Sequence, residues 1–473
     1  MQGDMMSEKT SHPSGEDLTR QAKGVNWVDL MEEDARPVPD FLKEPSYEYL
    51  GSDPIPASRY TSVEFEKLEK EKMWPNIWQF AAREEDLLEP GDYVVFDNAD
   101  RTFLIVRQDD GGVRAFHNVC LHRGRKLRTE DGCADKFQCP FHGYTWNKDG
   151  SLNEIPNRWD FGHLTDEKMK LPEAEVGRWG GYIFIKENPG GPSLEEFLAP
   201  LPEHFKRWRH EECATVLWVG KVVPANWKVT AEAFMEAWHT LVTHPQILPF
   251  TGDENSAYWF WGDNVNVNLV PFGVISPHID PTDKKQQWIV DEFVKYNGRS
   301  AENYDPDSDP FKIEVPEGVS ARRALGANFR EYYTEIFGHD HSDATDAELL
   351  DAIVYNVFPN FAPWGGFMPN IVYRWKPWQD PDHCLMEVRI LSRIPPDQPM
   401  PASPPMKFLS VDQKWTEAPE LGALGEVFEQ DMENLPYVQE GLKASKTGEV
   451  QLGDYQEIRI RQFHQTLEKY LEK

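Results

Sequence analysis

Two short Cys/His hooks constrain this chain more than anything else in it. Cys120-Leu-His122 is followed, after sixteen residues, by Cys139-Pro-Phe-His142. Two separate loops thus supply two thiolates and two imidazoles. A single zinc accepts that set in a tetrahedron. A two-iron cluster accepts it too, with both cysteines on one iron and both histidines on the other.

The surroundings separate these readings. The first hook stands in NVCLHRGRKL and the second in FQCPFHGYTWNKDGSL. Both offer Gly, Pro or backbone amides that can donate to cluster sulfurs and raise the potential. In residue type and spacing the pair resembles the Rieske motif of ring-hydroxylating oxygenases. The resemblance implies a [2Fe–2S] cluster on Cys120, His122, Cys139 and His142. Two neutral imidazoles leave one iron less negative, so electrons enter more readily than in an all-cysteine cluster. The far ring nitrogen of each histidine stays free to hydrogen-bond. The chain has five cysteines, an odd number that fits no disulfide framework. Cys133, Cys213 and Cys384 lack ligand-like neighbours and read as buried or incidental thiols.

A second constellation lies in NWKVTAEAFMEAWHTLVTHPQ. Helix is expected over Asn226 to Thr243. Glu236 and His239 are three apart and share a helix face. His239 and His244 are five apart, about 140° around an ideal helix, so one metal needs a break between them. Pro245 disfavours helix at His244 and places the break there. The bland alternative is two histidines lining a helix–loop junction. Beside a Rieske motif the segment resembles the family's acid-x-x-His-x-x-x-x-His iron helix. Two histidines and a carboxylate form the facial triad that leaves positions open for O2.

The resemblance also implies a late carboxylate ligand. VFEQDMENLPYVQEGL is similar to the family's final ligand helix, and Asp431 is the choice within it, with Glu429 and Glu433 as rivals. Two departures stand out. Glu236 occupies a position where many members have Asp. Glu232-Ala233-Phe234 replaces the common Glu-Asn-Phe, so an amide near the iron is missing.

The family implied is the large (α) subunit of Rieske non-haem iron oxygenases. It implies an α+β fold: an antiparallel β Rieske domain inserted before an α+β catalytic domain with a large antiparallel sheet flanked by helices. It implies rings of three, or multiples of them, with or without a β subunit. In such rings His142 of one subunit would hydrogen-bond Glu236 of the next, an inter-subunit bridge for the electron. The implied cofactors are the [2Fe–2S] cluster and a mononuclear Fe(II) on His239, His244 and Asp431. Electrons would come from NAD(P)H indirectly, through a reductase or ferredoxin. The basic run Arg123, Arg125, Lys126 and Arg128 could dock an acidic donor, or be a solvated loop or subunit contact.

Along the chain, residues 1–45 are polar and acidic and are expected to form a flexible arm. Residues 46–75 should hold a lead-in helix packing on the catalytic domain, with Thr61 and Glu64 at capping-box spacing. Residues 76–188 contain YVVF, TFLIVRQ and YIFIK between turn residues and read as the β Rieske domain. Residues 189–473 read as the catalytic domain. It has strands at Leu217 to Val223, Ile371 to Trp375 and His383 to Leu391. Its helices are expected near Ala321 to Ile336, after Thr345, over Gly425 to Lys443 and over Tyr455 to Leu471.

Charge excludes some functions. With 49 Lys and Arg against 80 Asp and Glu, the net charge is −31, which repels nucleic acid and anionic membranes. No apolar run approaches the roughly 20 residues of a membrane span. A cytoplasmic location is the expectation. The expected activity is hydroxylation, di- or mono-, of an apolar, aromatic or polycyclic substrate with O2. Oxidative O- or N-demethylation is the alternative within the family. A Rieske electron carrier would leave the His239/His244 pair unexplained, and a zinc-stabilised binding protein would be colourless. Phe234, Leu241, Leu248, Phe250, Phe358 and Phe361 are candidate pocket residues, each of which could equally be plain core.

Overall fold

Runs of β-branched and aromatic residues between 79 and 186 pair into one seven-stranded antiparallel sheet. The computed structural model describes residues 24–298, 312–367 and 370–472. The first strands are β1 (Gln79–Arg83), β2 (Asp92–Asn98), β3 (Arg101–Arg107), β4 (Val113–His117) and β5 (Gly132–Cys133). A small three-stranded sheet follows, β6 (Lys136–Gln138), β7 (Thr145–Asn147) and β8 (Leu152–Glu154), then β9 (Glu173–Trp179) and β10 (Tyr182–Lys186). The spatial order is β1-β10-β9-β4-β3-β2-β5. Ala99 and Asp100 both have positive φ between β2 and β3, the two-residue turn whose twist matches a hairpin. Both Cys/His hooks lie on connections beside the small sheet.

The second sheet has eight strands. They are β11 (Cys213–Val223), β12 (Ala257–Trp261), β13 (Val265–Val270), β14 (Ala352–Val357), β15 (Ala362–Gly365), β16 (Asn370–Trp378), β17 (Asp380–Arg393) and β18 (Lys407–Leu409). Their order is β12-β13-β14-β15-β16-β17-β11-β18, antiparallel except for the parallel β11/β18 pair. The two sheets are joined by aromatic packing. Phe361 meets Phe80 at 5.2 Å and Tyr182 at 4.8 Å between ring centroids. Arg374 on β16 donates to the carbonyls of Phe80 and Ala81 and pairs with buried Glu387. A buried guanidinium is tolerable because each of its three nitrogens donates to a carbonyl or carboxylate oxygen.

Helices cover this sheet. They include α1 (Trp27–Glu32), α2 (Val63–Leu68), α3 (Trp227–Glu232), α4 (Thr240–Thr243), α5 (Ala321–Phe337), α6 (Asp346–Leu350), α7 (Ala423–Met432), α8 (Leu435–Ala444) and α9 (Ile458–Leu471). Thr345 and Glu348 form a capping box at α6, the helix expected after Thr345. The lead-in helix starts one residue later than its spacing suggested: Ser62, not Thr61, accepts from the Phe65 N–H. Its continuation carries Glu69, which pairs with Lys228 at 2.6 Å, both fully buried.

The expected arm over 1–45 is corrected for residues 24–45; residues 1–23 lie outside the described residues. Trp27, Leu30 and Met31 share one face of α1 and are buried in the main core. The Trp27 indole donates to the Leu42 carbonyl at 2.7 Å, and Asp34 accepts from the Asp346 and Ala347 N–H groups at the start of α6. Burying such side chains stabilises each contact by about 1.5–3 kcal/mol, which outweighs the segment's polar average. The helix expected near Ala321 to Ile336 is α5.

Candidate metal centres

The two hooks adopt the same backbone turn. Cys120 N–H donates to the Arg125 carbonyl, and Gly124 N–H donates back to Cys120. Cys139 N–H likewise donates to Tyr144, and Gly143 N–H to Cys139. Gly124 and Gly143 sit at φ +76° and +79°, where a side chain would be strained. Each turn thus buries its cysteine and leaves its histidine toward the tip. Cys120 and Cys139 are buried, His122 is half-buried and His142 is exposed. The His122 and His142 rings lie 4.7 Å apart, and Tyr144 stacks on His122 at 4.6 Å.

Two observations at the hooks suit a metal cluster. His122 Nδ1 and the Tyr144 hydroxyl are buried without hydrogen-bond partners. Burial pushes the Cys120 thiol up, the His122 and Arg123 N–H groups act against this, and the neighbouring Cys139 adds to it. A cation there would reverse the balance. Among the described residues, the group whose ligand atoms converge on one ion is His239, His244 and Asp431.

The basic run beside the tip divides. Lys126 pairs with Asp97 at 2.6 Å. Arg128 donates to the carbonyls of Leu127, Lys136 and Gln138 and so braces the hook. Arg123 lies over the Phe141 ring and, with Arg125, remains exposed.

The second centre departs from the expected single helix. α3 ends at Glu232, the chain turns through residues 233–239, and α4 resumes at Thr240. The break therefore begins at Ala233, and the chain breaks again at His244, whose φ and ψ are −125° and 52°. Tertiary contacts override the helical pattern. Phe234 inserts among Tyr373, Trp375 and Phe428, and Met235 is buried. The looped segment brings His239 round to His244.

Asp431 on α7 is buried, with Oδ1 3.1 Å from His244 Nε2 and 3.8 Å from His239 Nε2. The three ligand atoms lie within 4.8 Å of one another. Its rivals point elsewhere: Glu429 accepts from the Trp415 N–H, and Glu433 is exposed at the end of α7. Glu236 Oε1 meets His239 Nδ1 at 2.5 Å, and its Oε2 accepts from the His239 N–H. Burial would lower the His239 pKa, but the Glu236 hydrogen bond and charge, with Asp431 beyond, raise it. His244 Nδ1 contacts Gln430 Oε1 at 2.8 Å. Both histidines thus have Nδ1 engaged and Nε2 turned toward Asp431, the arrangement that orients imidazole for a metal. Gln430 was not singled out by the sequence, where a glutamine beside a ligand carries no spacing signal.

Pocket candidates separate too. Phe234 belongs to the aromatic group beside Asp431. Burial and then the Asp431 charge raise the Tyr373 pKa, which marks that ring as a neighbour of the site. Phe358 packs on Phe463 and Tyr470, Phe361 lies between the sheets, and Phe250 joins Phe293 and Tyr296. These three are core. Leu248 is buried and Leu241 half-buried.

Residues 77–163 match the Rieske [2Fe-2S] domain, and residues 202–473 match the catalytic domain of the ring hydroxylating alpha subunit. The chain belongs to the Rieske oxygenase α-subunit family. Among curated Rieske oxygenases, the glycine betaine monooxygenase oxygenase subunit of Chromohalobacter salexigens is 28% identical over 203 residues, 42% of this chain and 44% of the relative. Chlorobenzene dioxygenase subunit alpha of Cupriavidus sp. is 30% identical over 191 residues, 39% of this chain and 42% of the relative. The matched stretch is less than half of either relative. The apo crystal structure of the quaternary ammonium Rieske monooxygenase CntA superposes with a TM-score of 0.61 at 18% identity, covering 89% of this chain and 96% of that one. That likeness is one of fold. Among the described residues no helix is long and apolar enough to cross a membrane.

Proposed function

We propose that this protein is the terminal oxygenase of a multicomponent system that hydroxylates an apolar, aromatic or polycyclic substrate. The observation that carries this is the convergence of His239, His244 and Asp431 in a chain that also holds the Rieske hooks. In this reading Cys120, His122, Cys139 and His142 hold the [2Fe–2S] cluster, and His239, His244 and Asp431 hold a mononuclear iron. The cluster would supply electrons singly, and the iron open positions for O2. Residues 76–188 would be the Rieske domain and 189–473 the catalytic domain, with residues 46–75 packing on the latter.

The chain's own residues define the rest. Glu236 holds His239 in one tautomer and keeps a carboxylate next to the iron ligand. Gln430 does the corresponding work for His244. His142, exposed at the tip, would reach Glu236 of a neighbouring subunit in a ring of three, where the cluster of one chain serves the iron of the next. Apolar exposure at both ends supports such a contact. Phe141 and Trp159 are 57% and 83% exposed in the Rieske unit, and Trp238 and Val242 are 49% and 81% exposed beside His239. Side chains of that size are seldom left in water when clustered. The electron donor would be an NAD(P)H-dependent reductase, directly or through a ferredoxin.

A second reading has one specific support. The relatives include glycine betaine and carnitine monooxygenases, so N-demethylation of a quaternary ammonium is the competing reaction. Phe234, Tyr373, Trp375 and Phe428 beside Asp431 would suit an aromatic ring by stacking or a quaternary ammonium by cation–π attraction. Single turnover under 18O2 with aromatic acids and with betaines tests both. Label in a ring hydroxyl supports the first reading. Formaldehyde released from a betaine supports the second. No labelled or demethylated product from either set would remove both.

A further inference from the structure

Arg459 is fully buried at the second position of α9. A cation at a helix N-terminus opposes the helix dipole, and burial adds a desolvation cost. Burial brings its pKa down to about 9, with Tyr258 and Glu236 acting the other way. Its hydrogen bonds go to three neutral oxygens. Nε donates to Asn266 Oδ1 at 2.6 Å, Nη1 to the Met235 carbonyl at 3.1 Å and Nη2 to the Val354 carbonyl at 3.0 Å. Helix stability does not explain a residue placed at such cost; its reach to Met235 does.

Tyr258 makes the matching contact from β12. Its hydroxyl accepts from the Ala237 N–H at 3.2 Å and donates to Gln456 Oε1 at 2.8 Å. Tyr258 is also fully buried. Met235 C=O and Ala237 N–H belong to the two peptide planes that flank the Glu236 Cα. A peptide plane is rigid, so fixing both planes fixes φ and ψ of Glu236 and the direction in which its Cα–Cβ bond leaves the backbone. At the far end the same carboxylate is held by His239. Glu236 is thus clamped at backbone and head, within a segment that has left the helix and has few backbone hydrogen bonds of its own.

We propose that Arg459 and Tyr258 are positioning residues that clamp the peptide planes on either side of Glu236 and aim its carboxylate between His239 and the incoming electron donor. This rests on the reading of Glu236 as the electron bridge. The hydrogen bonds of Arg459 and Tyr258 go to Asn266, Met235, Val354, Ala237 and Gln456, not to His239, His244 or Asp431. Their effect passes through the backbone of 235–237. With a cluster held by Cys120, His122, Cys139 and His142 and an iron held by His239, His244 and Asp431, the Glu236 bridge would carry one electron per event, the cluster being oxidised as the iron is reduced.

The test uses the assembled holoenzyme and the variants Arg459→Met, Tyr258→Phe and Glu236→Gln. Amide hydrogen exchange in a peptide spanning 233–240 should quicken by about tenfold in the first two, as for loss of one hydrogen bond, while sheet peptides hold. For the electron, enzyme with ferric iron receives one electron per chain from dithionite, and return of the oxidised visible spectrum is followed. A displaced bridge should slow that return by about ten- to a hundredfold in Arg459→Met and Tyr258→Phe, with iron content unchanged. Wild-type rates and exchange in both variants, with iron retained, would overturn the proposal. A wild-type rate in Glu236→Gln would instead overturn the bridge reading. If Arg459→Met fails to fold, Tyr258→Phe, which deletes one hydroxyl, decides alone.

Discussion

Replacing Gln430 with leucine should weaken iron binding at the mononuclear site while sparing the cluster. Gln430 Oε1 is the acceptor at 2.8 Å from His244 Nδ1, and it also accepts from the Gln246 amide at 2.8 Å. His244 is buried, so leucine leaves its Nδ1–H without a partner and releases the ring from the tautomer that presents Nε2 to Asp431. A buried donor left unsatisfied costs about 1–3 kcal/mol. At about 1.4 kcal/mol per factor of ten, that corresponds to roughly 5- to 150-fold in affinity, in line with the 10–100-fold typical of partners behind metal ligands. Gln430→Glu keeps an acceptor and should retain the iron. The assay is a ferrous iron titration against a colorimetric chelator, with the visible cluster spectrum as internal control. Affinity within about twofold of wild type in Gln430→Leu would refute the reasoning that second-row geometry orients His244.

His239→Ala and Asp431→Ala should each lose the mononuclear iron and turnover yet keep the cluster spectrum; retained turnover would remove the assignment. Charge reversal at the exposed Arg123 and Arg125 should slow reduction by an acidic donor and flatten its salt dependence. Unchanged kinetics would place donor docking elsewhere. Glu69→Gln leaves Lys228 buried without its counter-charge and should destabilise the fold by about 3–5 kcal/mol, read as a lower denaturation midpoint. An unaltered midpoint would mean Lys228 is neutral or finds water.

Local chemistry was legible where a few neighbouring residues decide it. The Cys/His hooks are self-contained turns, closed by Gly124 and Gly143 within a residue or two of the ligands, so their sequence carries their shape. The β-branched runs of β2, β3 and β10 are similarly local. The break at Ala233 was not legible, because the residues that cause it are Arg459, Tyr258 and the aromatic partners of Phe234, distant in sequence. The sequence pointed to a break at His244, before Pro245; a second one appears eleven residues earlier, at Ala233, where α3 gives way to the clamped segment. Residues 24–45 looked polar on average, yet Trp27, Leu30 and Met31 at helical spacing sufficed to bury α1. Asp431 could be chosen over Glu429 and Glu433 only as a preference, since a one-residue slip on a helix turns the ligand by about 100° and the structure alone shows which face meets the histidines.

The central claim is that one chain holds a Rieske cluster and a separate mononuclear iron. Iron and acid-labile sulfide analysis of purified protein, read with its Mössbauer spectrum, tests this most directly. We expect two irons and two sulfides from the cluster and one further ferrous iron, the last lost selectively in His239→Ala. Colourless protein carrying zinc and no sulfide, or a third iron that survives His239→Ala, would contradict it.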